Sequence, residues 1–232
     1  MPSECNGQVG NCSCILCLIF LLKKYVEGTP ETASQEIVAE FGRDPFLILV
    51  SCILSLRTRD TVSLPASRRL FQYFRSPHDF KKASVEDIEK LIFPVGFYHQ
   101  KSAQIKKLSQ QLIDDFDGKV PKTEKALLSL KGVGRKTANL VLGIGFKIPA
   151  ICVDTHVHRL ANQWGLVCTV DPEETERELK KIVPQEFWIA LNDYMVRWGQ
   201  FKCKSNTKNC TSCSLLKRVC TKTIKNHPHS KK

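Results

Sequence analysis

One stretch, residues 130–159, does most to limit how this chain can fold. It reads LKGVGRKTANLVLG, then IGFKIPAIC, then VDTHVHR. Just before it, residues 123–131 carry Ala126, Leu127 and Leu130 on one helical face. Gly132-Val133-Gly134 ends that helix, because glycine tolerates the positive φ of a tight turn. Residues 135–143 then place Ala138, Val141 and Leu142 at the spacing of a second helix. Helix, Gly-Val-Gly, helix is a helical hairpin. Its turn leaves backbone N–H groups at the positive end of the second helix, a site suited to a phosphate. On the turn alone, an ordinary αα-hairpin is an equal reading.

Lys136 tips the balance. It lies in the first turn of the second helix, where the dipole disfavours a cation and so favours the neutral amine. A neutral amine is a nucleophile that forms a Schiff base with a sugar aldehyde. Eighteen residues on, Asp154 stands between a β-branched segment and an apparent helix. It is a good N-cap there. It is also a carboxylate able to take a proton from the lysine or to stabilise positive charge on a sugar.

LKGVGRKTANLVLG followed by VDTHVHR resembles the helix-hairpin-helix and catalytic-aspartate segment of the endonuclease III family of DNA glycosylases. The resemblance runs from about Phe46 to Cys220. It implies that Lys136 attacks the deoxyribose carbon bearing the damaged base and that Asp154 assists. It implies DNA contacts from the turn, Lys131, Gly132, Val133, Gly134 and Arg135. Lys131 is a departure, since the family usually has proline before Gly-x-Gly; the change removes a rigid φ and adds a charge near the phosphate.

The 232 residues suffice for one large domain or two small ones, and 42% are hydrophobic, so the chain is globular. A net charge of +12 points to a polyanionic partner, with nucleic acid the default. Eleven cysteines without an ordinary secretory signal suit a reducing, intracellular setting, cytoplasm or nucleoid in a prokaryote. The apolar run ILCLIFLL, residues 15–22, is too short to span a bilayer and reads as a buried helix, so no membrane is expected. Cys5, Cys12, Cys14 and Cys17 read as thiols of a tail and a packed helix rather than a second metal site.

In chain order, helices are expected over residues 15–25 and 46–56, with a short helix or turn over 32–41; the helix over 46–56 is apolar all round and therefore central. Asp44 and Pro45 supply its cap and first position. Further helices are expected over 64–74, 84–91 (with Ser84 as cap), 101–116, 172–183 (opened by Asp171-Pro172) and 187–201. No strand and no repeat is evident, so the fold class is all-α.

The loop RTRDTVS follows the central helix, and FPVGFY forms a second glycine-centred turn. The resemblance places both at the DNA. Arg57 takes the position that fills the gap left by a flipped base, where the family often has glutamine. Asp60 matches an acidic residue at the damaged-base pocket, and Phe97 an apolar wedge beside the extruded nucleotide. The bland alternatives are solvated or phosphate-contacting arginines and a core aromatic.

The second strong motif is Cys203-x6-Cys210-x2-Cys213-x6-Cys220, four thiols that can close around one metal centre. Zinc and a [4Fe–4S] cluster accept the same ligand set. The resemblance implies [4Fe–4S], although the last gap is six residues where the family usually has five. Lys204 and Lys208, inside the first gap, would be presented to phosphates.

The resemblance further implies two helical domains flanking a DNA-binding cleft. Residues 38–148 would form a six-helix domain ending in the hairpin. Residues 14–37 and 149–232 would form a cluster domain, and 1–13 a tail. The expected protein is a monomeric glycosylase and abasic-site lyase acting on damaged double-stranded DNA, with oxidised pyrimidines as substrates. The competing readings are a monofunctional glycosylase, a non-catalytic DNA-binding module and a zinc protein.

Overall fold

The computed structural model describes residues 15–203 and Leu215, and no strand occurs among them. The helices are α1 (Ile15–Val26), α2 (Ala33–Phe41), α3 (Pro45–Ser55), α4 (Asp60–Phe71), α5 (Pro77–Lys82) and α6 (Val85–Ile92). They continue with α7 (Tyr98–Phe116), α8 (Glu124–Ser129), α9 (Arg135–Leu140), α10 (Thr155–Gln163), α11 (Pro172–Ile182) and α12 (Trp188–Phe201). A π-helical turn, Val141–Gly145, prolongs α9, and a 3-10 turn, Gln185–Phe187, precedes α12. Two compact units divide the chain: Thr32–Ala150, and Met1–Glu31 together with Ile151–Lys232.

Unit Thr32–Ala150 is built around α3. Asp44 Oδ1 accepts from the Phe46 N–H at 2.8 Å, and Pro45 occupies the first turn. Every residue from Phe46 to Leu54 is buried. A helix apolar on all sides must be surrounded. Leu70 and Phe71 of α4, Ile88 and Ile92 of α6, Ile105, Leu108 and Leu112 of α7 and Leu127 of α8 join it in one core.

Local chemistry moves several boundaries from their expected places. Helix α4 begins at Asp60 rather than at residue 64, because an aspartate in the first turn complements the dipole. Pro65 then falls inside it. Helix α5 was not expected at all, yet Ser76 and Asp79 form a reciprocal capping box with Pro77 at the first position. Helix α7 starts at Tyr98, three residues early. Helix α8 stops at Ser129, because Leu130 is already extended, and the second hairpin helix turns π after Leu140. There Gly145 lies so close to Pro45 that an added Cβ would stand 3.2 Å from the proline Cα. The Arg43 guanidinium donates to the Ile144 carbonyl beside it.

In the other unit, Leu18, Ile19, Leu22 and Val26 of α1 pack with Val157, Leu160 and Ala161 of α10 and with Leu191, Met195 and Trp198 of α12. Buried Arg197 donates to the carbonyls of Val26 and Thr29, both at 2.8 Å, and so fastens the end of α1 to α12. No described helix is long and apolar enough to cross a membrane.

Candidate nucleic-acid interface

The hairpin turn is shaped by its own glycine and by α7. Gly132 has φ +79°, and a Cβ there would stand 2.0 Å from the Gln104 amide nitrogen. Gln104 donates to the Gly132 carbonyl at 3.2 Å. Gln111 accepts from the Lys131 N–H at 3.1 Å and donates to the Ser129 carbonyl at 3.2 Å. Val133 is buried beneath the turn, whereas Lys131, Gly132 and Gly134 are exposed. Gly134 precedes α9 in extended conformation, and nothing lies within 4 Å of where its Cβ would be. The turn is thus a braced backbone rim with open space before it. Arg135 reaches across the hairpin to Glu124, 2.6 Å away, so part of its charge is answered within the fold.

Lys136 is exposed on the first turn of α9. Its charge is felt on α3: burial pushes the Cys52 thiol up to about 12, and the Lys136 charge pulls it the other way. Thr137, Ala138 and Asn139 bury the remainder of α9. Helix α9 is therefore anchored through Thr137, Ala138 and Asn139 and carries an exposed lysine two residues past the backbone rim.

Asp154 caps α10. Its Oδ1 accepts from the N–H groups of His156 and Val157, each at 2.9 Å. Both bonds fall on one oxygen, so capping leaves Oδ2 uncommitted. The strand-like approach to it is fixed by buried Ile151 and Val153 and by Asn192, which donates to the Cys152 carbonyl at 2.8 Å.

A third constellation joins the loop after α3 to the turn before α7. Arg57 and Phe97 both hold left-handed backbone, at φ 52° and 59°. Such φ values are uncommon for residues other than glycine and persist only where neighbours enforce them. The Arg57 guanidinium lies over the Phe97 ring, 6.0 Å from its centroid. Phe97 is 56% exposed, which overturns the core-aromatic alternative. Asp60 is half-buried at the first position of α4.

Lys101, which the sequence motifs do not single out, is buried beside this constellation. It is only 4% exposed, and its ammonium donates to the carbonyls of Leu54 (2.8 Å) and Leu56 (2.6 Å) and to Thr58 Oγ1 (3.1 Å). Burial pulls its pKa down to about 8. The clue in the sequence is register: residue 101 shares the α7 face of Ile105, Leu108 and Leu112, so a lysine interrupts an apolar stripe.

Of the cysteine motif, Cys203 is buried after α12. Arg159 donates to its carbonyl at 2.7 Å and points a second nitrogen at its Sγ, 3.6 Å away. Cys210, Cys213, Cys220, Lys204 and Lys208 lie outside the described residues.

Known proteins match this arrangement. The profile of the HhH-GPD superfamily base excision DNA repair protein covers residues 50–185. This chain belongs to that superfamily. Endonuclease III of Thermotoga maritima is 46% identical over 195 residues, which span 82% of this chain and 91% of that protein. Endonuclease III of Bacillus subtilis is 36% identical over 174 residues, spanning 75% and 80%. Among solved structures, a trapped endonuclease III–DNA covalent intermediate, an estranged-adenine complex, has a TM-score of 0.72 at 36% identity. It covers 83% of this chain and 94% of its own. The all-helical architecture is therefore that of an HhH-GPD protein.

Proposed function

We propose that Lys136 and Asp154 carry the chemistry of this enzyme, a bifunctional DNA glycosylase and abasic-site lyase of base excision repair. The observation that carries the assignment is an exposed lysine on the first turn of α9, next to the braced Gly-Val-Gly rim. The rim engages a DNA phosphate through backbone N–H groups, which fixes the strand without reading its sequence. The damaged nucleotide is extruded from the stack. The Lys136 amine attacks C1′ as the base departs, and the sugar opens to a Schiff base. Loss of a C2′ proton then expels the 3′ phosphate, cutting the strand by β-elimination. Asp154 offers the carboxylate that takes the amine's proton or stabilises the positive sugar.

Arg57 and Phe97 occupy the space the nucleotide leaves, and Asp60 faces the extruded base. Lys131, Gly132, Val133, Gly134 and Arg135 grip the backbone, with Lys204 and Lys208 adding charge. The substrate is damaged double-stranded DNA, with oxidised pyrimidines and abasic sites the preferred lesions. The chain works as a monomer inside the cell, where duplex DNA is found.

Cys203, Cys210, Cys213 and Cys220 would hold a [4Fe–4S] cluster. The fit rests on the four-thiol donor set and on Cys203. That thiol sits in the core of its unit, with a nitrogen of the Arg159 guanidinium 3.6 Å from the sulfur, so the ligand nearest α12 is held in a fixed place. The bound cluster supplies cross-linking of the chain's end rather than redox work in base removal. Anaerobically purified protein is expected to be yellow-brown and to contain iron and sulfide. Stoichiometric zinc without iron would assign the motif to zinc instead.

An incision assay tests the activity. Duplexes carrying an oxidised pyrimidine, an abasic site, an oxidised purine or no lesion are incubated with the protein. The first two are expected to be cut. Base release without strand cleavage would favour a monofunctional glycosylase, and binding with neither would leave a DNA-gripping module.

A further inference from the structure

The turn between Leu54 and Thr58 is held by a residue from another helix. Helix α3 ends at Ser55; the Cys52 carbonyl accepts from the Ser55 hydroxyl, and the Ile53 and Ser55 carbonyls accept from the N–H groups of Leu56 and Thr58. Lys101 donates to the carbonyl of Leu54, in the last turn, to that of Leu56, just beyond the helix, and to the Thr58 hydroxyl as well. An ammonium is well placed at a helix C-terminus, because it complements the dipole there. It is also expensive to bury, and among the described residues no carboxylate pairs with it. Three acceptors from one loop are what keep it in place.

Thr58 extends the same bond system to the second loop. Its Oγ1 accepts from the Gly96 N–H at 3.1 Å. Gly96 is pressed against the turn, so that an added Cβ would lie 3.1 Å from Thr58 Oγ1 and 3.2 Å from the Arg57 carbonyl. The residues immediately beyond these bonds are Arg57 and Phe97, both left-handed and both exposed. Helix α7 therefore couples the two loops through one buried amine.

We propose that Lys101 is a positioning residue for lesion recognition: its buried ammonium locks the 54–58 turn and the 93–98 turn together. The lock sets Arg57 and Phe97 as a single preformed wedge for the gap left by an extruded nucleotide. This rests on the wedge role given above to Arg57 and Phe97. Preforming the wedge lowers the ordering cost of inserting it, so its value shows in binding to gapped stacks rather than to intact duplex.

The test uses duplexes with a tetrahydrofuran abasic analogue, which cannot be cut, and 2-aminopurine beside it to report unstacking. Wild type is expected to prefer this duplex to intact DNA and to raise the 2-aminopurine signal. Lys101→Met removes the ammonium at similar length, and Thr58→Val removes the shared acceptor while leaving the amine. Each is expected to lose about tenfold or more in affinity for the abasic duplex, the size of a lost charge-assisted hydrogen bond, and to lose the fluorescence rise. Binding to intact duplex should change by no more than about twofold, because phosphate contacts supply it. Should Lys101→Met fail to fold, Thr58→Val decides alone. Retained preference and fluorescence in the folded variants would overturn the lock while leaving the wedge standing. A wild-type protein without any abasic preference would overturn the wedge itself, and the lock with it.

Discussion

Lys136→Gln is expected to abolish covalent trapping. Borohydride reduces an imine to a stable amine, so protein joined to abasic DNA after reduction reports an amine that has attacked C1′. Glutamine reaches about as far as lysine and cannot form the imine. The α9 helix should survive the change, since its buried face is Thr137, Ala138 and Asn139 and Lys136 is exposed. The phosphate clamp is backbone, so binding to the uncleavable abasic analogue should persist. Loss of trapping with retained helicity and binding isolates the nucleophile. Trapping at the wild-type level would mean that another amine does the work, and the assignment of Lys136 would be wrong.

What was readable in the sequence follows from which forces are local. Caps and apolar stripes are set within a few residues. The Asp44-Pro45 start of α3 and the Asp171-Pro172 start of α11 could therefore be placed correctly, as could the buried run from Phe46 to Leu54. Helix α5 obeys the same local rule through Ser76 and Asp79. The hairpin was legible as a motif, but its support was not. Gln104 and Gln111 brace the turn from residues 20–28 positions earlier in the chain, a pairing that no spacing rule announces. The π turn after Leu140 packs Gly145 closely against Pro45, again a distant partner.

The same division runs through the site. Lys136 and Asp154 were singled out because each sits at a helix start, where dipole and capping chemistry can be read from neighbours. Arg57 and Phe97 were placed by resemblance. Their left-handed backbone and mutual contact arise only from tertiary structure. Lys101 does leave a signal in the sequence, as a cation on the apolar face of α7. A charge at such a position costs too much unless something distant answers it. What answers it is the loop carrying Arg57, through the Leu56 carbonyl.

Asp154→Asn separates two duties that one carboxylate performs. The cap uses Oδ1, which accepts from the His156 and Val157 N–H groups. Asparagine keeps an acceptor oxygen and is about as good an N-cap as aspartate, so the melting temperature should barely move. Asp154→Ala removes the cap as well and should cost roughly 1 kcal/mol of stability in addition. What asparagine loses is the charge and the basic Oδ2, the oxygen that capping does not use. If that oxygen handles the amine's proton or the sugar's positive charge, single-turnover incision of an oxidised pyrimidine should slow by ~10²–10⁴-fold, the usual range for a lost acid–base group. Rate and stability then move independently across the pair of variants: asparagine loses rate alone, and alanine loses both. Should Asp154→Asn cut at the wild-type rate, the residue is a cap and nothing more. The proton taken from Lys136 would then have to pass to solvent or to another group.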